Sequence, residues 1–265
     1  MTTLFIERVA VEIDGDGDAV LLLHGLGGTS NTWAALAPAF MRVKCIRPDL
    51  PGSGRSDRVE GPLSIGGYVQ TALRAMAAAG TERAHVVAHS MGTIVAAHLA
   101  AAHPAMVRSL ALFGPLLAPA DPARTAIRAR AQKVRSEGAA GMQEVANALV
   151  QAATSASTKA KRHAAVAFVR ESLMRQSPDG YARSCEALAD AQPADVAKIR
   201  CPTLLVTGDE DAVAPPQSVR LMGDRIAEGG TAVEVEVLRG CGHWTPVEMP
   251  DECVDLLRRF HAQRR

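Results

Sequence analysis

The stretch "HVVAHSMGTIVAAHLA", from His85 to Ala100, constrains the fold more than any other part of the chain. An apolar run with strand character passes, through one serine, into an apolar run at helical spacing. A buried strand that turns straight into a buried helix leaves Ser90 on a sharp, strained corner. The serine oxygen then stands clear of the sheet. The new helix points its free amides and positive dipole end at the same spot. Such a corner needs small residues two before and two after the serine, and here they are Ala88 and Gly92. The alternative role for Ser90 is that of an ordinary helix N-cap.

The rest of the chain alternates in the same way. "TLFIERVAVEI" ends in the turn cluster "DGDGD", and "AVLLLHG" follows, which reads as a hairpin opening a sheet. The DGDGD run departs from a calcium loop at its glycine and closing acidic positions, so a plain turn is expected. Then come a helix near "NTWAALAPAF", a strand at "RVKCIRPDL", a Gly-rich loop "PGSGRSD" and a helix around "IGGYVQTALRAMAAAG". The Ser90 strand and helix follow, and then the strand "VRSLALFG". From about Asp121 to Asp190 the pattern turns helical, Ala-rich and basic, with no clear strand. Alternation resumes with "CPTLLVTG", a helix near "QSVRLMGDRIAEGG", the strand "AVEVEVL" and a last helix from about Asp251 to Arg264. The expectation is an α/β protein with a mostly parallel, doubly wound sheet and an inserted helical cap. The core is assigned to residues 1–120 and 193–265, and the cap to 121–192. An insertion there sits over the C-terminal strand ends, where open α/β sheets bind ligands.

Composition narrows the functions. The 265 residues carry a net charge of +1 with 22% charged and 48% hydrophobic residues, an ordinary globular balance without a basic footprint for nucleic acid or an anionic membrane. Aromatics at 3% argue against a base-stacking platform. The short basic end "HAQRR" reads as a solvated tail. The five cysteines, Cys45, Cys185, Cys201, Cys241 and Cys253, are odd in number and lack CxxC spacing, so free thiols are expected and no metal site. No basic n-region followed by an apolar h-region opens the chain, and no run has bilayer length. A cytoplasmic location is therefore expected.

A serine hydroxyl needs a base. Of the eight histidines, His89 adjoins Ser90, but neighbours on a tight turn point apart. His98 and His103 lie on the following helix and His163 in the cap. His243 sits in "RGCGHWTPVEMPDE", a Gly-rich loop after the last strand, which can deliver an imidazole to the sheet top. The imidazole in turn needs an acid. "LLVTGDEDAVAPP" offers Asp211, with Asp209 as the close competitor.

These residues lie in motifs that resemble the α/β-hydrolase superfamily over nearly the whole chain. The motifs are "HGLGG" at His24 to Gly28, "DLPGSGRS" at Asp49 to Ser56, "AHSMG" at Ala88 to Gly92, "GDEDAVAP" at Gly208 to Pro215 and "GCGHWTPVEMP" at Gly240 to Pro250. The resemblance implies the α/β-hydrolase fold, with Ser90 as nucleophile, Asp211 as acid and His243 as base. It implies an oxyanion hole of the Leu26 and Met91 backbone amides, with His24 in a structural role. Asp49, Arg55 and Ser56 are expected to tie their own loop together, and Glu248 to cap or pin the last helix. Trp33 and Trp244 are expected to bind substrate at the pocket mouth, with core packing as the alternative.

Dehalogenases and epoxide hydrolases of this fold carry aspartate at the elbow, so serine points to acyl-enzyme chemistry. Within the superfamily the chain resembles 3-oxoadipate enol-lactonases, notably in "SPDGYARSCEAL". It departs from them at "VANALVQAATSAS", where that subgroup usually carries an aromatic residue. The implied function is cofactor-free hydrolysis of a small lactone or carboxylic ester, with no metal and no oligomeric state assigned. The run Arg124, Arg128, Arg130, Lys133 and Arg135 reads either as an anion-holding set or as a solvated face. The alternatives are a C–C bond hydrolase, a perhydrolase-type haloperoxidase, or a non-catalytic small-molecule receptor on the same scaffold.

Overall fold

The computed structural model describes residues 2–56 and 60–262. Part of the basic tail, residues 263–265, lies outside the described residues.

Eight strands form one sheet in the order β1-β2-β4-β3-β5-β6-β7-β8. They are β1 (Thr2–Ile6), β2 (Val9–Asp14), β3 (Ala19–Leu23), β4 (Lys44–Pro48), β5 (Ala84–His89), β6 (Val107–Phe113), β7 (Thr203–Gly208) and β8 (Val233–Leu238). From β4 to β8 every pairing is parallel; β1 and β2 are antiparallel. The helices between strands are α1 (Ile65–Ala78) and α2 (Met91–Ala102). Between β6 and β7 lie α3 (Asp121–Glu137), α4 (Ala139–Ala153), α5 (Ala156–Lys161), α6 (His163–Met174) and α7 (Pro178–Ala189). The chain continues through α8 (Pro216–Ala227), α9 (Thr245–Glu248) and α10 (Pro250–Ala262). Among the described residues no helix is long and apolar enough to cross a membrane.

The period of two along each strand sorts the core into two layers. In β3, Leu21 and Leu23 face a cluster shared with α1, α2, α8 and the inserted helices. Val20 and Leu22 face a smaller one closed by Trp33, Leu36 and Phe40 on one side and Leu257 and Phe260 of α10 on the other. Both faces of the central strands are thus covered, which is why their sequences read as continuous apolar runs.

Two local expectations are corrected. The opening hairpin lies within "TLFIERVAVEI", turning at Glu7 and Arg8, both at positive φ (48° and 69°). β3 does not pair with β2, because β4 lies between them. The "NTWAALAPAF" segment is 3-10 rather than α-helical and carries Pro38, which cannot donate to a helical ladder.

Candidate active site

β5 ends at His89, α2 begins at Met91, and Ser90 alone makes the turn at φ 52°, ψ −123°. A non-glycine residue there is strained, and the strain holds its side chain outward. The neighbours must be small for a steric reason. A Cβ at Gly92 would come within 2.2 Å of the Leu23 carbonyl oxygen, and one at Gly25 within 2.7 Å of the Ser90 Cβ. The loop after β3 therefore packs directly against the elbow. Neither the Leu26 nor the Met91 amide donates to a protein acceptor among the described residues.

The loop after β8 brings the His243 Nε2 to 2.8 Å from Ser90 Oγ. On the other side of the ring, Nδ1 lies 2.8 Å from Asp211 Oδ2. Asp211 is 3% exposed, and its Oδ1 accepts the amides of Val213 and Ala214, both at 2.8 Å. Burial alone would raise its pKa. The neighbouring His243 and the amide bonds outweigh that and hold the carboxyl below its ordinary value. An ionised carboxylate only accepts, so Nδ1 carries the proton and Nε2 is left to accept from the serine hydroxyl. The competitor, Asp209, turns elsewhere: its Oδ1 accepts the Gly240 amide at 2.7 Å.

The loops around this array are fixed by buried groups. His24 donates from Nδ1 to the Gly25 carbonyl and accepts the Leu50 amide at Nε2, each at 2.8 Å, and burial lowers its pKa. Asp49 accepts from the Ser30 amide (2.8 Å) and from both the backbone and the Nε of Arg55. Arg55 and Ser56 reach past their own loop, to Glu12 and to the Ala10 amide of β2.

Contrary to expectation, none of the bonds of Glu248 reaches the last helix. Fully buried, it accepts the amides of Ser155 (2.8 Å), Gly242 (3.1 Å) and Trp244 (3.1 Å), joining the His243 loop to the α4–α5 junction. The His243 amide donates to Ala153 across the same junction.

Side-chain patterns did not foretell several contacts. His89 is buried between the His243 loop and the elbow. Its Nε2 donates to the His243 carbonyl at 2.9 Å, and its ring lies 5.2 Å from those of His243 and Trp244. Burial, then the charge of His243, pushes its pKa down to about 3. Ser172 and Gln176 both donate to the Gly27 carbonyl, tying α6 to the loop after β3.

A cavity of about 600 Å³ opens above Ser90 and His243. Leu26, His89 and Trp244 line it, together with Leu116, Ile127, Leu149, Val213 and Met222. Trp33 does not. Its side chain is buried in the opposite layer of the core, because the 3-10 segment turns that face toward Phe40 and Leu36. The substrate-binding expectation for Trp33 is therefore corrected to core packing.

The family model described as alpha/beta hydrolase fold matches residues 18–250. A pyrrolizixenacetamide deacetylase of Xenorhabdus hominickii is 28% identical, covering 96% of this chain and 94% of its own length. Among solved structures, a thermophilic esterase from Thermogutta terrifontis superposes with a TM-score of 0.90 at 23% identity, covering 99% of both chains. The enol-lactonase from Burkholderia xenovorans LB400 has a TM-score of 0.89 at 24% identity, covering 98% of this chain and 100% of its own. At those identities the two structures speak to the fold alone.

Proposed function

The chain belongs to the α/β-hydrolase fold family, and on that premise we propose that it is a cofactor-free serine hydrolase of small lactones or carboxylic esters. One observation carries the reading: Ser90, His243 and Asp211 form a continuous hydrogen-bonded array opening on a largely apolar cavity. Ser90 Oγ attacks the acyl carbon while His243 Nε2 takes its proton. The Leu26 and Met91 amides hold the resulting oxyanion. His243 then gives the proton to the leaving oxygen as the acyl–oxygen bond breaks, leaving an acyl-enzyme. Water, deprotonated by His243, attacks that acyl carbon; the acid departs and Ser90 regains its proton.

The helices over residues 121–192 serve as the cap, and Trp244 lies against the substrate. The Xenorhabdus relative is a deacetylase by name, which is also cleavage at an acyl carbon.

The test is proton release in a pH-stat from lactones and matched open-chain esters. Lactones should be opened faster than their open-chain counterparts, and Ser90→Ala should lower kcat by about 10⁵-fold while the far-UV spectrum stays native. Substantial turnover by Ser90→Ala would mean the nucleophile is wrong. Activity on esters alone would make the protein a general carboxylesterase.

A further inference from the structure

The loop after β3 is held from two sides. Gly25 to Gly28 form a turn, closed by the Gly28 amide on the Gly25 carbonyl at 3.0 Å, with Leu26 and Gly27 at its centre. On the sheet side, Gly25 packs against Ser90 without room for a side chain. On the other side the turn meets α6. Ser172 Oγ and Gln176 Nε2 both donate to the Gly27 carbonyl, at 2.7 Å and 3.1 Å. A Cβ on Gly27 would come within 2.3 Å of Leu173 Cδ2, so the helix lies directly on the turn. Gln176 is itself fixed. Its Nε2 also donates to the Ser172 carbonyl at 2.7 Å, near the end of α6, and its Oε1 accepts the Gly54 amide at 2.9 Å. Both side chains are buried, where each polar atom must find a partner.

The turn has little stiffness of its own. Gly27 sits at φ 75°, and glycine there and at position 28 opens backbone states that other residues lack. An oxyanion donor, by contrast, must be held within about 0.5 Å of its working position. We propose that Ser172 and Gln176 are positioning residues for the oxyanion hole. By fixing the Gly27 carbonyl they aim the Leu26 amide at the oxygen that becomes negative when Ser90 attacks. This rests on the serine-hydrolase reading of the site, and deepens it by making the hole depend on the inserted helices. The His243 amide donates to the Ala153 carbonyl at the end of α4, so the same helices fix both the hole and the base.

Gln176→Met keeps the bulk of the side chain and removes its amide, and Ser172→Ala removes the hydroxyl. With 4-nitrophenyl butyrate, each should lower kcat by about 10-fold and the double variant by about 100-fold, with KM moving less than about 3-fold. Inhibition by butylboronic acid, which adds to the Ser90 oxygen as a tetrahedral anion, should weaken in step with kcat/KM. The acid limb of the pH profile should stay in place, because His243 and Asp211 keep their partners. Ser184→Ala is the control: this buried hydroxyl of α7 bonds Tyr68 and Gly180 instead, and its loss should change kcat by less than about 2-fold. If the double variant does not fold, the single variants read the same effect. Wild-type kcat in the variants, a loss carried by KM alone, or an equal loss in Ser184→Ala overturns the proposal.

If the wild type neither hydrolyses the ester nor binds the boronate, the hydrolase reading fails separately. Hydrogen exchange at the Gly28 amide, followed by NMR, then decides whether α6 holds the turn. Exchange about 10-fold faster in the double variant than in the wild type and in Ser184→Ala upholds that hold, and equal rates overturn it.

Discussion

The two walls of the cavity use the same residue types for opposite purposes. On the strand-end wall, acids are buried and hold backbone. Asp49, Asp211 and Glu248 are 1%, 3% and 0% exposed, and each accepts at least two main-chain amides. On the inserted helices, Glu137, Asp179 and Asp190 are exposed and Glu186 is half-buried, and all four pair with arginines or lysines on helix surfaces. Buried carboxylates bonded to amides fix loop geometry, because losing one leaves several donors unsatisfied at once. Exposed ion pairs are worth little and tolerate exchange. The side that carries Ser90, Asp211 and His243 is therefore held by backbone, and the side formed by the inserted helices is set by replaceable side chains such as Ile127.

The sharpest way to break this contrast is at the acid. Asp211→Asn keeps the size but offers His243 an amide in place of an acceptor-only carboxylate, favouring the wrong imidazole tautomer. We expect kcat to fall by about 10³- to 10⁴-fold, against less than about 3-fold for Asp209→Asn, whose Oδ1 accepts the Gly240 and Cys241 amides and does not reach His243. Equal losses at the two positions would dissolve the distinction between them.

A second comparison concerns stability. Glu248→Ala strands three buried amides and should cost about 3 kcal/mol or more. Glu186→Ala, which removes a partner of Arg135 on the exposed side, should stay within about 1 kcal/mol. Urea unfolding of both reads the difference. A small loss at Glu248 would mean that the α4–α5 junction is not held through it.

The same contrast explains what could be read before the structure. Each motif of the strand-end wall is contiguous: "AHSMG" is the end of a strand, a corner and the start of a helix, and sterics select Gly92. The sheet was legible because strands covered on both faces are written as unbroken apolar runs. What stayed hidden depends on partners far away in sequence. Glu248 bonds to Ser155, 93 positions away, and no local pattern announces it. Trp33 sits on a 3-10 segment interrupted by Pro38, whose side chains lack the 3.6-residue period that would assign a face. The hairpin turn at Glu7 and Arg8 has no glycine or asparagine to mark its positive φ. In the basic run of α3, sequence shows five cations; only the packing of α3 against α7 decides that Arg124, Arg128 and Arg135 meet partners on or beside α7.

The remaining prediction concerns His89, which belongs to the strand-end wall but is a base. Burial lowers its pKa from 6.5 to about 3, so the folded protein keeps it neutral while the unfolded chain protonates it. Between those values the unfolded state binds more protons. The stabilising contribution is therefore complete above the unfolded value and is lost as pH falls toward the folded one. His24, also lowered by burial, acts in the same direction. His89→Gln retains an amide able to donate to the His243 carbonyl but cannot titrate. Unfolding free energies measured in urea at pH 7 and pH 5 should fall for the wild type by about 2 kcal/mol more than for His89→Gln. The baseline stabilities of the two proteins cancel in that difference. Parallel pH profiles would mean that His89 is solvated or charged in the folded protein.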